Sequence, residues 1–390
     1  MTEPSRPIEL SIVMPCLNEA RTVAACVDEA ARFLDSRGIA GEVIVADNGS
    51  SDSSREIAAA RGAVVVAVSA RGYGAALQGG IAAARGRFVI MGDADGSYDF
   101  SALDLFLARL REGWDLVMGN RFAGGIQRGA MPLLHRYLGN PVLSAIGRAF
   151  FGQRCGDFYC GLRGFSKTAY EQLGLRALGM EFALEMMVKA SVFGLRVCEV
   201  PTILRPDGRD RPPHLRTWRD GWRSLRLYLL YSPRWLFIYP GALLAFLGVV
   251  SGLAIMIAPV PIGRITLDVH TLVYSAIAVL IGTQAAAFGT FARVYAAHRG
   301  LLPRQTRLDL MLRKFSVEQG LLAGMALVIA GLAGSVHAVA VWRQHAFGHL
   351  DPSEVLRIVI PSALALGLGV QVIFSTFLLG LLLFDRSDTP

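Results

Sequence analysis

Residues Arg87–Asp99 read Arg-Phe-Val-Ile-Met-Gly-Asp-Ala-Asp-Gly-Ser-Tyr-Asp. A short apolar run ends in two carboxylates, Asp93 and Asp95, one residue apart. The run has the length and flanks of a buried strand. Alternate strand residues point to opposite faces, so this spacing predicts both carboxylates on one side. Like charges so placed repel unless a cation sits between them. A divalent metal that also grips a diphosphate is the usual answer. The stretch therefore predicts a nucleotide-activated substrate.

Upstream, strands and helices alternate. Strands are expected at Glu9–Met14, Glu42–Ala46, Ala63–Val68, Phe88–Met91 and Asp115–Met118. Helices are expected at Ala20–Leu34, Ser53–Ala60, Gly74–Ala84 and Ser101–Arg111. Alternation at this pitch predicts an α/β domain with a mostly parallel sheet and helices on both faces. Ligands of such sheets bind beyond the carboxyl ends of the strands. Pro15–Glu19, Asp47–Asp52 and Asp93–Asp99 all fall there, so segments far apart in sequence can converge. A dinucleotide-binding fold would need Gly-x-Gly-x-x-Gly after the first strand. Met14-Pro15-Cys16-Leu17-Asn18-Glu19 stands there instead, and no Walker loop is present.

Downstream the composition changes. The chain has 390 residues, is 53% hydrophobic and has a mean hydropathy of +0.43. The excess lies beyond Trp235, in Trp235–Ala258, Thr271–Ala292, Gly320–Trp342 and Ile358–Phe384. Each has the length of a bilayer-crossing helix. The polar Met1–Pro7 does not read as a signal peptide. Arg293, Arg299, Arg304, Arg307, Arg313 and Lys314 crowd the loop between the second and third spans. The positive-inside rule puts that loop, and with it the N-terminal domain, in the cytoplasm. The net charge of +8 fits a chain beside anionic lipid. No pattern for nucleic acid accompanies it. The five cysteines, Cys16, Cys26, Cys155, Cys160 and Cys198, read as reduced packing residues of a cytosolic domain. Between the halves, Trp218, Trp222, Leu225, Leu229 and Trp235 alternate with Arg216, Arg219, Arg223 and Arg226, the composition of an interfacial helix. The expected domains are 1–213, a connecting interfacial segment 214–234, and a four-span transmembrane domain 235–390.

Several of these segments carry a resemblance. Pro15-Cys16-Leu17-Asn18-Glu19 resembles the Pro-x-Tyr/Leu-Asn-Glu opening of family 2 glycosyltransferases. Asp47-Asn48-Gly49-Ser50-Ser51-Asp52 resembles their Asp-Asp-Gly-Ser-x-Asp turn, with Asn48 in place of the second Asp. Asp93-Ala94-Asp95 is similar to their Asp-x-Asp motif, and Gly119-Asn120-Arg121 to the Gly-Ser-Arg that follows. Asp157–Phe165 and Arg205–Arg211 resemble segments of dolichol-phosphate mannose synthases and bacterial polyprenyl-phosphate glycosyltransferases. The Gln-x-x-Arg-Trp motif of processive synthases is absent; Tyr231 precedes Arg234-Trp235 where Gln should be.

The resemblance implies a GT-A fold and inverting transfer of a hexose from a nucleotide sugar, UDP-glucose or GDP-mannose, to membrane polyprenyl phosphate (undecaprenyl, decaprenyl or dolichyl). It implies an inner- or plasma-membrane enzyme. The donor would lie against Pro15, Leu17, Glu19, Asp47, Asp93, Ala94 and Asp95. Mg²⁺ or Mn²⁺ would bind Asp93 and Asp95, with Ser97 as a third, weaker ligand. A phosphate acceptor is already nucleophilic and needs positioning and neutralisation, for which arginine is suited. Arg121, Arg136, Arg163, Arg205 and Arg211 are the expected arginines. The expected catalytic set is Asp95, Asp157, Arg121 and Arg163; Asp157 would serve as a base or orient an arginine. A homo-oligomer is compatible with the sequence. The alternatives are another membrane family 2 glycosyltransferase, processive or not, and a non-catalytic carrier of lipid-linked sugar.

Overall fold

The computed structural model describes residues 7–209, 217–303, 316–349 and 351–383. The chain divides into two compact units, Met1–Tyr228 and Leu229–Pro390.

The first unit is built on a sheet that has seven strands among the described residues. In chain order they are β1 (Leu10–Cys16), β2 (Gly41–Asp47), β3 (Val64–Ala67), β4 (Phe88–Met91), β5 (Leu116–Asn120), β6 (Arg163–Ser166) and β7 (Val197–Pro201). Their spatial order is β3-β2-β1-β4-β6-β5-β7. Leu10, Ile12, Val13 and Met14 of the interior strand β1 are fully buried, as a strand covered on both faces requires. Register aligns Cys16 with Asp47 and Val13 with Met91, so the loops leaving β1, β2 and β4 emerge side by side.

Only β6 runs against the rest, pairing Met91 and Met118 with Arg163 on its two sides. Sequence alternation does not announce it, because β6 is only four residues long and begins with a charge and a glycine, Arg163-Gly164. Helix α1 (Val23–Ser36) buries Val23, Cys26, Val27, Ala30, Phe33 and Leu34, the spacing of one helical face. It starts three residues later than expected. Before it, the Ala20 N–H donates to Asp52 and the Thr22 hydroxyl to the Ala94 carbonyl, at 3.1 and 2.7 Å. The remaining helices that begin in this unit are α2 (Ser54–Ala60), α3 (Tyr73–Ala83), α4 (Asp104–Arg111), α5 (Arg121–Gly124), α6 (Asn140–Phe151), α7 (Lys167–Leu173), α8 (Glu181–Val192) and α9 (Thr217–Tyr231), the last of which ends three residues beyond it. A π-helical turn, His135–Gly139, leads into α6. Tyr228 of α9 is fully buried, with its ring 6.4 Å from Phe158 and 5.6 Å from Phe151.

The second unit holds α10 (Tyr239–Ile257), α11 (Val269–His298), α12 (Val317–Gln344) and α13 (Pro352–Leu383). All four are long and apolar enough to cross a membrane. They coincide with the four expected spans, each shifted by a few residues at its ends. Gly282 of α11 lies against α10: a Cβ there would fall 2.5 Å from the Gly241 carbonyl oxygen and the Ala245 nitrogen. Small residues permit such close packing, which carries helix association in lipid. A short hairpin, β8 (Val260–Ile262) and β9 (Ile265–Leu267), joins α10 to α11. Arg357 of α13 ion-pairs with Asp268 and donates to the Ile255 carbonyl at 2.9 Å, tying α13 to both ends of that connection.

Candidate active site

The loops after β1 and β2 are locked into one piece. Asn18 adopts the left-handed backbone region, φ 57°, which Asn tolerates better than most residues. Its side-chain oxygen accepts the Ser51 N–H at 2.7 Å, and its own N–H donates to the Ser50 hydroxyl at 2.9 Å. The Glu19 N–H donates to the Ser54 hydroxyl at 2.8 Å. Asp47 is buried and accepts the N–H groups of Gly49 and Ser50 at 3.0 and 3.2 Å. Asn48 spans to the next loop. It donates to the Ala70 carbonyl at 2.6 Å and accepts the Gly72 N–H at 2.8 Å. An amide can do both, whereas the carboxylate expected in relatives can only accept. This accounts for Asn48 where the motif has Asp.

The acidic pair lies beyond the end of β4, which stops at Met91. Strand alternation therefore does not set the placing of Asp93 and Asp95, which belong to the turn that follows. Gly96 takes φ +79°, and the Ser97 N–H closes back on the Asp95 carboxylate at 3.0 Å. Burial raises the Asp93 carboxyl from 3.8 to about 6, and the charge of Asp95 adds to it, against the Tyr73 hydrogen bond and the charges of Arg209 and Arg121. The two carboxylates thus feel one another as the sequence spacing predicts, although by a different geometry. The set consists of hard oxygen donors, which suits Mg²⁺ or Mn²⁺. Among the described residues no three His, Cys, Asp or Glu side chains gather into an all-protein metal cage.

Behind the pair stands Gly161. A Cβ there would lie 2.9 Å from an Asp93 carboxylate oxygen and 3.1 Å from the Tyr98 hydroxyl. That hydroxyl also accepts the Gly161 N–H at 2.8 Å. Gly161→Ala should push Asp93 out of line and weaken Mn²⁺ binding by on the order of tenfold without unfolding the domain. Isothermal titration with Mn²⁺ and nucleotide checks this; an unchanged affinity contradicts it. Gly161 belongs to the Asp157–Phe165 segment, but spacing alone does not mark it.

Asp157 is fully buried and bound bidentately by Arg121, at 2.6 and 2.8 Å. The Arg121 N–H adds a third bond at 3.2 Å. Burial acts to lower the Arg121 pKa, but the hydrogen bond and charge of Asp157 outweigh it and hold the guanidinium firmly charged. Glu199 of β7 completes the cluster. One of its oxygens accepts the N–H groups of Gly156 and Asp157 at 2.8 and 3.0 Å, and the Asn120 amide at 3.2 Å. The sequence reading missed Glu199, because it stands alone in an apolar strand with no motif around it.

The other arginines divide. Arg163 is fully buried, and its guanidinium donates to the carbonyls of Cys160, Phe158 and Ala183, so it braces the turn before β6. Arg205 ion-pairs with Glu29, at 3.2 Å, and with Asp99. Arg136 sits on the π-helical turn, half-buried, over its neighbour Tyr137 at 5.5 Å. Arg211 falls outside the described residues. Arg209 is brought to the acidic pair instead. It donates to Glu19 at 2.8 Å and lies 3.3 Å from Asp95. Of the expected donor residues, Pro15, Leu17, Glu19, Asp47 and Asp93–Asp95 all lie on the adjoining β1, β2 and β4 ends. The five cysteines are free thiols, four of them buried.

A mostly parallel sheet with this acidic turn at its carboxyl edge, followed by four apolar helices, defines a membrane glycosyltransferase of GT-A type. Residues 11–174 match the Glycosyl transferase family 2 pattern, and residues 290–383 match the Glycosyltransferase family 2 C-terminal transmembrane region. The chain belongs to glycosyltransferase family 2. It is 36% identical over 373 residues to the low-salt glycan biosynthesis hexosyltransferase Agl6 of Haloferax volcanii, covering 95% of this chain and 88% of that one. It is 29% identical to a dolichyl-phosphate hexose transferase of the same organism, over 50% of this chain and 81% of that one. Among solved structures, glucosyl-3-phosphoglycerate synthase of Mycobacterium tuberculosis with Mg²⁺ and UDP is similar over 56% of this chain and 79% of its own, at TM-score 0.46 and 24% identity. The protein is a multi-pass membrane glycosyltransferase.

Proposed function

We propose that this enzyme transfers a hexose from UDP-glucose, GDP-mannose or a similar nucleotide sugar to the phosphate of a membrane polyprenyl phosphate. The observation that carries the reading is the acidic turn after β4, held against the β1 loop by the Thr22–Ala94 bond. In this reading Asp93 and Asp95 would hold Mg²⁺ or Mn²⁺, and the chemistry such a cation would supply is charge stabilisation of the departing nucleoside diphosphate. Ser97 shapes the turn through its N–H and contributes at most a weak ligand. Pro15, Leu17, Glu19 and Asp47 form the wall for the nucleoside.

The acceptor phosphate carries about −1.5 to −2 charge. It attacks the anomeric carbon itself, opposite the leaving group, so the configuration inverts. Arg121 and Arg136 neutralise it. Asp157 acts through Arg121, because a carboxylate bonded three ways to one arginine is an orienting group and not a free base. The relative named a dolichyl-phosphate hexose transferase supports this class of acceptor.

The basic Arg293–Lys314 region favours a cytoplasmic catalytic unit in the cell membrane. Of the expected interfacial segment 214–234, residues 214–216 lie outside the described residues; the rest is proposed to lie in the membrane interface, because Trp218 and Trp222 are 83% and 59% exposed on α9, as lipid contacts would require. Protease added outside sealed right-side-out vesicles should spare the N-terminal unit; its removal would overturn the orientation. The activity is tested by incubating the purified protein with labelled donors, Mn²⁺ and polyprenyl phosphate. Label should pass to organic solvent only when polyprenyl phosphate is present.

The raised Asp93 carboxyl has a pH consequence. The folded protein holds this proton up to about pH 6, while the unfolded chain releases it near 3.8. In EDTA-treated protein the contribution of this group to stability therefore falls as pH rises through that window. Metal must displace the proton below pH 6, so Mn²⁺ affinity should rise from pH 5 and level off above about 6.5. A pH series of Mn²⁺ titrations checks this; a flat profile contradicts it.

A further inference from the structure

Arg209 links two carboxylates from different loops. Glu19, 4% exposed, belongs to the β1 loop, and Asp95, 6% exposed, to the acidic turn. The chain that carries Arg209 is laid along that turn by main-chain bonds: the Arg205 N–H donates to the Ser97 carbonyl and the Gly208 N–H to the Asp95 carbonyl, both at 2.9 Å. The Arg205 side chain anchors the start of this strap on Glu29 and Asp99. Arg209 is thus delivered in register, with its side chain 19% exposed. It is bonded to Glu19 at 2.8 Å and within ion-pair distance of Asp95 at 3.3 Å. No motif quoted from the sequence specifies position 209; the assignment comes from the geometry.

We propose that Arg209 is the internal counter-ion of the donor site: it holds Asp95 and Glu19 until a divalent cation and a nucleoside diphosphate enter, and then transfers its charge to the diphosphate. The inference rests on the metal role of Asp93 and Asp95 proposed above. Glu19 and Asp95 both pair with Arg209, which neutralises them and whose charge also acts on Asp93. A divalent cation on Asp93 and Asp95 competes with the guanidinium for the same oxygens, and two cations a few ångströms apart repel. Metal alone must therefore break the Arg209 contact without compensation. Metal with a diphosphate need not, because the guanidinium fork finds phosphate oxygens in exchange. The result is a site that takes metal weakly by itself and strongly with its nucleotide. Coupling of this kind is typically about five- to 150-fold.

The test is Mn²⁺ binding by the full-length protein in detergent, read by electron paramagnetic resonance. Wild type and Arg209→Gln are titrated without nucleotide and with UDP or GDP. Arg209→Gln is expected to bind Mn²⁺ alone on the order of tenfold tighter than wild type. Its gain on adding nucleotide should be correspondingly smaller. Arg209→Lys, which keeps the charge but loses the fork, should fall between the two and guards against a folding defect in the glutamine variant. A purely structural arginine would not invert the effect in this way. Unchanged or weaker binding of Mn²⁺ alone by folded Arg209→Gln, with wild type binding Mn²⁺ normally in the presence of nucleotide, overturns the counter-ion role alone. Absence of Mn²⁺ binding by either protein under every condition overturns the metal assignment and the counter-ion role with it.

Discussion

Asp95→Asn is expected to reduce sugar transfer on the order of 10³-fold while leaving the fold intact. The amide keeps the shape of the side chain and can still accept the Ser97 N–H through its oxygen. It loses the negative charge that a hard cation requires. It removes one of the two carboxylates that hold Arg209 but also the like charge beside Asp93; the two changes oppose one another, so thermal stability should change little. Near-normal transfer by a folded Asp95→Asn protein would remove the metal from the mechanism. Asp93→Asn should show the same loss of transfer. In that variant the pH dependence of metal binding should also disappear, because Asp93 is the group pushed up to about 6.

The second large effect concerns Arg121 and Asp157. Asp157→Ala leaves a buried guanidinium without its partner, since the two side chains are only 10% and 0% exposed. Breaking a buried pair in this way costs about 3–5 kcal/mol. A large fall in melting temperature is therefore expected, together with a loss of transfer on the order of 10²-fold from misplacement of the acceptor phosphate. The double variant Arg121→Met/Asp157→Leu separates the two. With no unpaired charge left, it should recover much of the stability. It should not recover transfer, because the positioned cation is gone. Recovery of both would mean that the pair serves the fold alone.

The acidic turn, the β1 and β2 loops and the four apolar helices are legible in the sequence, because each rests on local chemistry. Short apolar runs, Asn and Gly in turns, and long uncharged stretches declare themselves within a few residues. What could not be read depends on pairing across distance. β6 is antiparallel, and its Arg163 is spent on three main-chain carbonyls, two of its own turn and that of Ala183 on α8. Nothing local separates such an arginine from one that faces a ligand. Arg205 has the same history, satisfied by Glu29 and by Asp99, which lies 106 residues away in sequence. Arg209 and Glu199 escape for the converse reason: each is unremarkable in its own segment and acquires a role only when the sheet brings distant loops together. The acidic pair shows both sides. Its mutual repulsion follows from composition and spacing, whereas its geometry comes from the Gly96 turn and not from strand alternation.

Mass spectrometry of the lipid fraction tests the central reading most directly. Full-length protein in detergent is incubated with polyprenyl phosphate, Mg²⁺ and each of UDP-glucose and GDP-mannose, with EDTA and Asp95→Asn as controls. The account predicts a polyprenyl-phosphate hexose from at least one donor, formed with Mg²⁺ and lost in both controls. Formation of that product at full rate in EDTA and by Asp95→Asn, or its absence across a wider donor panel, would contradict it.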